Sequence, residues 1–420
     1  MKAVGWMLWA IVGVSILGCG GEPVDGESGV GEGLQVGRML GGDDDAEGYA
    51  QASSPRPFRF PEDHGAHPDF RSEWWYLTFA LEAVDVQETP FERMEGVGAR
   101  CGHPALLRLP STLKPHHNAP ARCAGWPHRA PTPGAREFGV QFTLFRRALF
   151  PGGDPADPWR NGQGYLAHFA LTDVEAETHR HAERMARGHP ELAGVEVADG
   201  AVAAWLEDWR LVMAPDGWTL RAAADGIAVD LAMRPEKGFV AQGDGGLSAK
   251  GPGEASHYYS APRLRTGGHV KIDGERHPVA GWGWLDREWS TSALSPEQVG
   301  WDWFALMLDS GEDVMAFRLR RRDGARDPYD HGAWIDPNGA ARFLSASDFR
   351  LTPIGHWQDE EGRRWPIRWR LAVGERRFEI AAALNDQRMD TLLTYWEGLV
   401  RVTDAQGRDV GRGYMELTGY

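Results

Sequence analysis

Hydrophobic and polar residues alternate in short runs along much of this chain, and a period of two predicts β-strands. Residues 138–146 and 164–172 show this pattern, and three further runs follow between residues 205 and 233, separated by turns with Asp and Gly. A spacing of about 8–12 residues per strand is typical of an all-β barrel or sandwich. Residues 175–189 are the exception, and we predict a short amphipathic helix there.

The second half of the chain continues the alternation and has no long stretch with a helical period. A chain of 420 residues exceeds one typical core, which favours two β units joined near residue 262. We therefore predict an all-β fold with domains at residues 55–262 and 263–420. The strands predicted in the second half are residues 268–272, 277–285, 301–308, 313–320, 331–335, 369–373, 377–383, 393–403 and 411–418.

Residues 1–19 have the composition of a targeting segment, with a short basic start and an apolar run that ends in ILGC at Cys19. This ending resembles a bacterial lipobox, which implies that Cys19 is lipidated and anchors the chain in the cell envelope. An ordinary signal peptide is the alternative. Gly20 after the cysteine favours the outer membrane by resemblance to known sorting rules. Residues 20–54 are acidic and Gly-rich, which predicts a flexible tether.

Residues 86–136 interrupt the strand pattern of the predicted N-terminal domain. They are rich in Pro, His and Arg and have no sustained period, so we predict a long insertion. Cys101 and Cys123 lie within it, and in an oxidising compartment we expect a disulfide between them.

The composition and motifs exclude several classes of function. A net charge of −15 and a pI near 5.5 argue against nucleic acid or an anionic membrane surface as a partner. The sequence has no GxSxG elbow, no HExxH helix and no Walker or dinucleotide glycine pattern. His64 and His67 lie in a Pro-rich loop without a third ligand nearby, so they are predicted to be surface residues. We predict no metal and no cofactor.

Residues 281–303 hold five of the 19 tryptophans, with carboxylates between them. On an extended strand Trp282, Trp284, Asp286 and Glu288 share one face. A carboxyl group among aromatic rings loses hydration, which raises its pKa and suits a general acid.

An alternative is that Asp286 and Glu288 pair with arginines such as Arg263 or Arg287 and merely fix a turn, since structural ion networks also perturb acids. Arg287 follows Asp286 directly in the sequence. On an extended strand it points to the opposite face, so we expect its effect on the Asp286 pKa to be small.

Other polar groups occur among large rings. Glu73 and Trp75 share one face of a strand predicted over residues 73–79, and further rings occupy its other face, so both faces are predicted to be covered. His168 is either a core histidine with satisfied hydrogen bonds or a catalytic group. Tyr258-Tyr259 either packs or donates hydrogen bonds from the wall of a pocket.

Eight short motifs follow one another in a specific order between residues 72 and 420. They are SEWWYLTFAL at 72–81, VQFTLFR at 140–146, AHFALTD at 167–173, SHYYSAPRL at 256–264, GWGWLDREWSTSAL at 281–294, GWDWFALMLDSGEDVMAFRLR at 300–320, YWEGLVRV at 395–402 and GYMELTGY at 413–420.

This ordered set resembles the AttH-like, carotenoid 1,2-hydratase-like family of secreted bacterial proteins. The resemblance implies two lipocalin-like β-barrel domains packed side by side. It also implies that Asp286, which matches the aspartate of the family's W-x-D segment, protonates a terminal alkene. Water would then capture the carbocation without a cofactor, and the rings of Trp282 and Trp284 would stabilise the cation. Arg287 stands where typical members carry His.

The first functional hypothesis is a hydro-lyase that binds an elongated hydrophobic molecule, such as a polyene, an isoprenoid or a lipid, between the barrels. Asp286 would be the acid, and Glu73, His168, Tyr259 and Glu288 would orient water or Asp286. A non-catalytic carrier of lipids or hydrophobic compounds, associated with an envelope transport system, is the alternative, and a hydrolase is a third option. The predicted ligand-binding residues are Trp75, Tyr258, Trp282, Trp284, Trp301 and Trp303.

Overall fold

The computed structural model describes residues 46–84, 134–153, 157, 160–292 and 294–420. Within these ranges the regular secondary structure is nearly all β-strand, and the one helical element is a 3-10 turn at Glu62–His64. Two curled antiparallel sheets form two lipocalin-like β-barrels packed side by side, so the predicted fold class is confirmed.

The first barrel is a 13-stranded antiparallel sheet with the order β4-β3-β2-β1-β13-β12-β9-β8-β7-β6-β5, in which β10 and β11 also pair with β12. Its strands are β1 (Ser72–Ala83), β2 (Glu137–Ala148), β3 (Gln163–Asp173), β4 (Thr178–Arg187), β5 (Ala193–Ala198), β6 (Ala201–Leu206), β7 (Trp209–Ala214), β8 (Gly217–Ala224), β9 (Ile227–Pro235), β10 (Val240–Ala241), β11 (Leu247–Gly251), β12 (Glu254–Ile272) and β13 (Glu275–Ser290).

The second barrel is a 10-stranded sheet with the order β17-β16-β15-β14-β23-β22-β20-β19-β18, in which β21 also pairs with β22. Its strands are β14 (Gln298–Leu308), β15 (Asp313–Arg321), β16 (His331–Ile335), β17 (Ala341–Ser345), β18 (Phe349–Gln358), β19 (Arg364–Val373), β20 (Arg376–Ala382), β21 (Arg388–Asp390), β22 (Thr394–Asp404) and β23 (Asp409–Leu417).

The chain passes from the first sheet to the second between Ser290 and Gln298. The domain boundary predicted near residue 262 falls inside β12, where the register shifts between Ala261 and Leu264. Arg263 has a φ of 54° within this bulge, a left-handed conformation that is uncommon for a residue other than glycine. The bulge turns the Arg263 side chain toward the second barrel.

The helix predicted over residues 175–189 is wrong. These residues form a tight turn and then β4, which pairs with β3 from Thr178 opposite Asp173 to Arg187 opposite Gly164. The turn includes Glu177 with a φ of 51°. Pairing with β3 outweighs the local helical pattern, because it satisfies the backbone groups along that edge of β3.

Alternation along β1 builds two cores at once. Trp75, Leu77 and Phe79 pack inside the first barrel, while Trp74 and Tyr76 face a third apolar cluster to which both barrels contribute. Both faces of this strand are therefore covered, as predicted. The second barrel has an interior core of its own, which includes Trp365, Trp369 and Trp396.

Several sequence predictions concern residues outside the described ranges. The targeting segment, the lipidation of Cys19, the first part of the tether, and the Cys101–Cys123 disulfide with most of its insertion all lie there. Among the described residues, no helix has the length and apolar character needed to cross a membrane.

Candidate functional site

A cavity of about 760 Å³, counted with the part that opens to solvent, lies between the two barrels. Strands β1, β2, β3, β11, β12 and β13 supply one wall, and β14, β15, β22 and β23 supply most of the other. Six residues predicted from the sequence line it: His168, Tyr258, Asp286, Glu288, Trp301 and Trp303.

Asp286 lies in the middle of β13 and is only 3% exposed. Its neighbours across the sheet are Tyr76 of β1 and Ser260 of β12. The Tyr258 hydroxyl donates to Oδ2 at 2.6 Å, and Trp284 Nε1 donates to Oδ1 at 2.7 Å. The Ser260 hydroxyl also donates to Oδ1. The carboxyl group is therefore held by three donors in a site almost without solvent.

Burial raises the pKa of Asp286 from 3.8 to about 7. The hydrogen bonds from Ser260, Tyr258 and Trp284 act in the opposite direction because they stabilise the carboxylate. The charge of nearby Glu288 adds to the rise. The loss of hydration outweighs the three donors, which leaves a group that can give or take a proton near neutral pH.

The two candidate arginine partners do not contact this acid. Arg287 is fully buried on the opposite face of β13 and donates to Glu73 at 2.9 Å. Arg263 donates to Asp313 of the second barrel at 2.7 and 2.9 Å. The alternative in which these arginines pair with Asp286 and Glu288 is therefore wrong, and Arg287 points away from Asp286 as expected.

Glu288 also lines the cavity but has a cationic partner. Lys250 Nζ and the Ser256 hydroxyl both donate to its Oε1 in short contacts. The Lys250 ammonium also lies 5.5 Å from the centroid of the Trp74 ring and 5.9 Å from that of Phe317. Sequence reasoning missed Lys250, because nothing local connects a lysine on β11 to an acid on β13.

Two further acids line the second wall and were also missed. Glu397 of β22 lies directly opposite Glu416 of β23, and Trp301 Nε1 donates to Glu416 Oε1 at 3.1 Å. Burial raises the pKa of Glu416 to about 8. Burial and the neighbouring Glu416 raise the pKa of Glu397 well above its usual range. The signal was present in the sequence, since Glu397 directly follows Trp396 and Glu416 stands between Met415 and Leu417 on predicted strands.

His168 lies on the first wall and makes two hydrogen bonds. Its Nε2 is 3.0 Å from Glu183 Oε2, and its Nδ1 is 2.7 Å from the Tyr395 hydroxyl. Burial lowers the pKa of His168, whereas the pKa of Glu183 is lowered chiefly by this hydrogen bond. An ionised Glu183 requires a hydrogen on Nε2, so Nδ1 accepts the Tyr395 hydrogen. His168 therefore joins the two barrels as a neutral ring.

The structure does not bring Glu73, Trp75 or Tyr259 to the cavity. Glu73 lies inside the first barrel and accepts hydrogen bonds from Arg146 and Arg287. Trp75 belongs to the same interior core, and Tyr259 is fully buried on that side of the sheet. The period of two decides this outcome, because these residues share the face opposite to Trp74, Tyr258 and Asp286.

Trp282 and Trp284 pack between the barrels without lining the cavity. The Trp284 ring supports Asp286 through its N–H, and the Trp282 ring lies 5.2 Å from the Arg263 guanidinium. The rings that face the cavity are instead those of Trp74, Trp301 and Trp303, with Phe145 and Phe317.

His64 and His67 are not surface residues, contrary to the prediction. His64 is 5% exposed, and its Nδ1 is 2.6 Å from the Tyr259 hydroxyl. The His67 ring stacks on Trp289 with centroids 3.7 Å apart. The loop before β1 therefore closes one end of the first barrel. No group of three or more potential metal ligands occurs among the described residues.

Comparisons with known proteins agree with this architecture. A family model described as AttH-like matches residues 102–420. The chain is similar to an AttH-like protein from Nitrosomonas europaea, with 30% identity, coverage of 88% of this chain and 99% of that chain, and a TM-score of 0.69. It shares its fold with kievitone hydratase from Nectria haematococca, with 13% identity, coverage of 88% and 95%, and a TM-score of 0.58. A search of curated proteins gives no match.

Proposed function

The chain belongs to the AttH-like family, and from this premise we propose that it is a cofactor-free hydratase of elongated hydrophobic molecules. The observation that carries the proposal is the carboxyl group of Asp286, buried beside an aromatic cavity with a pKa of about 7. A general acid works best when its pKa is close to the working pH. The substrate class is a polyene, an isoprenoid or another lipid with a carbon–carbon double bond.

Asp286 gives its proton to one carbon of the double bond, and a carbocation forms at the other carbon. A water molecule adds its oxygen to that carbon and returns one proton to the Asp286 carboxylate. The net reaction converts the alkene and water to an alcohol, and it regenerates the protonated Asp286 carboxyl group. The hydrogen bonds from Tyr258, Ser260 and Trp284 stabilise the carboxylate that exists between the two steps.

The cavity wall suits the short-lived cation in this reaction. The rings of Trp74, Trp301 and Trp303 line it, and the faces of indole rings attract positive charge. An apolar wall also limits the access of bulk water, so that the substrate meets few competing nucleophiles. One protein with this fold is named a kievitone hydratase, so hydration is a chemistry that the fold can host.

The N-terminal sequence supports a location in the cell envelope. We propose that Cys19 is lipidated and that the acidic tether connects it to the barrels, with the outer membrane as the destination. A Cys19→Ser variant is expected to move from the membrane fraction to the soluble fraction and to lose incorporation of a labelled fatty acid. Retention of the label in that variant contradicts the anchor.

The decisive experiment incubates the purified protein with polyene and isoprenoid substrates in H₂¹⁸O and measures ¹⁸O in the alcohol product. The Asp286→Asn variant is expected to lose about 10²- to 10⁴-fold in rate, the usual contribution of a positioned acid. Asp302→Asn is the control, since Asp302 is a buried acid on the next strand that does not line the cavity.

Undiminished activity in Asp286→Asn removes the acid from the mechanism. If no substrate incorporates ¹⁸O and organic extracts of the protein contain a lipid that stays unmodified over time, the protein is a carrier.

A further inference from the structure

The Glu397–Glu416 pair has no part in the proposed reaction, yet it faces the same cavity. Glu397 is 1% exposed, and neither of its carboxyl oxygens accepts a hydrogen bond of good geometry among the described residues. The hydroxyls of Tyr76 and Tyr395 lie near it and partly offset the effect of burial on its pKa, and the Tyr395 hydroxyl is also 2.7 Å from His168 Nδ1. A buried carboxyl group with such incomplete hydrogen bonding is costly unless a ligand satisfies it.

The ionisable side chains that line the cavity are mostly acidic. Four carboxyl groups line it, and Lys250 is the one lysine or arginine side chain among its described lining residues. That ammonium is engaged with Glu288. Asp286, Glu397 and Glu416 are therefore left without a positive charge in contact. On the second barrel, Tyr395 and Tyr414 flank the Glu397–Glu416 pair. The titratable groups that the first barrel contributes to the cavity are Tyr76, His168, Lys250, Tyr258, Asp286 and Glu288.

We propose that Glu397 and Glu416 form a subsite for an organic cation, such as the ammonium group of a ligand whose remaining part is apolar. Two carboxylates on neighbouring strands repel each other when both are ionised, and a single positive charge between them offsets that repulsion. The Trp301 ring, which is tied to Glu416 by its N–H, adds an aromatic face that attracts the same charge. The apolar rings around the cavity would hold the rest of the molecule.

This subsite goes beyond hydration by Asp286 and does not depend on it. A carbocation carries the same charge as an ammonium group, so a stable ammonium compound is the natural probe. Without a ligand, burial favours the protonated form of both glutamates, as the pKa of about 8 at Glu416 reflects. A bound cation favours the ionised form, so it should displace a proton.

The test compares benzyltrimethylammonium with neopentylbenzene, its uncharged isostere of the same shape, by calorimetry and by quenching of tryptophan fluorescence. The cation is expected to bind at least about tenfold more tightly than the isostere, in line with a desolvated charge on rings and carboxylates. Because binding of the cation releases about one proton, the affinity of the protein for the cation should rise by up to about tenfold per pH unit between pH 6 and 8. Calorimetry in buffers of different ionisation enthalpy measures that proton directly.

Glu397→Gln and Glu416→Gln keep the shape of the protonated side chains, so both variants should fold. Each is expected to lower affinity for the cation about tenfold or more and to reduce proton release, while binding of the isostere is retained. Asp302→Asn is the control, because the pKa of this buried acid is also raised, by burial, yet the acid faces away from the cavity.

Equal binding of cation and isostere, or tighter binding of an uncharged alcohol, overturns the subsite. So does displacement of the cation by sodium or magnesium alone at comparable concentration, because the site would then be an inorganic one. Failure of the hydratase proposal is distinguishable, since it appears as missing ¹⁸O incorporation and leaves cation binding intact.

Discussion

The Tyr258 hydroxyl donates to Asp286 Oδ2 at 2.6 Å, and this bond is the inner half of a chain that joins the two barrels. Trp303 of the second barrel donates its indole N–H to the same hydroxyl at 3.2 Å. The Trp303 N–H occupies one acceptor position of the hydroxyl, which leaves the hydroxyl hydrogen free to point at Asp286. The environment of the acid therefore depends on how the second barrel docks.

Replacing Tyr258 with Phe should raise the pKa of Asp286 further. The change removes one donor that stabilises the carboxylate, and a hydrogen bond to a charged group corresponds to a shift of about one unit. The carboxyl carbon resonance of Asp286, titrated in a ¹³C-labelled protein, measures the shift. A pKa that stays at about 7 or falls contradicts this role for Tyr258. Trp303→Phe should act in the same direction but more weakly, since it touches Asp286 only through Tyr258.

The raised pKa of Asp286 should make the folded state less stable as pH rises. Its pKa is about 7 when folded and 3.8 in the reference state, so between these values the folded chain binds more protons than the unfolded chain. The stabilisation that this group contributes is therefore fully present below about pH 4 and decreases as the pH rises to about 7. The Asp286→Asn variant lacks this ionisable group. Its free energy of unfolding should therefore exceed that of the parent protein by at most about 4 kcal/mol at pH 8, and the difference should vanish near pH 4.

Urea unfolding of both proteins at several pH values measures this difference. Asp173→Asn is a control of opposite sign, because burial tends to raise the Asp173 pKa but hydrogen bonds, first that from Arg136, hold it below its ordinary value. That variant should lose stability above pH 4 relative to the parent. A pH-independent difference for Asp286→Asn is incompatible with a buried, ionisable Asp286.

Glu73 should matter for stability and not for chemistry. It is fully buried inside the first barrel, between the guanidinium groups of Arg146 and Arg287. Glu73→Gln leaves two buried positive charges without their counterion, which should lower the free energy of unfolding by about 3–5 kcal/mol. Denaturation by guanidinium chloride measures the loss.

An exposed ion pair provides the contrast. Glu379→Gln breaks the surface contact with Arg370 and should change stability by less than about 1 kcal/mol. The hydration rate of Glu73→Gln, measured where the protein is folded, should stay close to that of the parent. A selective loss of rate in this variant, with stability unchanged, would return Glu73 to the catalytic group.

Gly139 sets how closely β2 of the first barrel approaches the second barrel. A Cβ atom at this position of β2 would lie 2.6 Å from the Tyr414 hydroxyl oxygen and 3.0 Å from Leu399 Cβ, both on the second barrel. Gly139→Ala should therefore cost about 1–3 kcal/mol through overpacking. Adding Tyr414→Phe removes the oxygen that the methyl group meets and should recover part of the loss.

A double-mutant cycle, measured by thermal unfolding, gives the coupling between positions 139 and 414. Gly238→Ala is the matched control, since a Cβ there meets no atom within 4 Å. Strict additivity of the two changes would mean that the barrels move apart freely at this contact.

Sequence reasoning reached Asp286 because its signal is local. Trp284, Asp286 and Glu288 alternate with residues of the other face, and the strand geometry turns that spacing into a shared environment. Glu73 has an equally aromatic neighbourhood, yet it faces the barrel interior. Rings occupy both faces of β1, so nothing in the spacing says which face meets the second barrel.

The sequence by itself determined most of the strands, though not β4, together with the all-β class and the sets of residues that share a face, because a period of two is a property of neighbouring residues. Only the tertiary structure decided which faces meet across the barrels. Glu397 and Glu416 become a pair through the register of β22 with β23, and they oppose Asp286 through the docking of two sheets. These contacts join residues far apart in the chain, and their loss of hydration depends on what covers them.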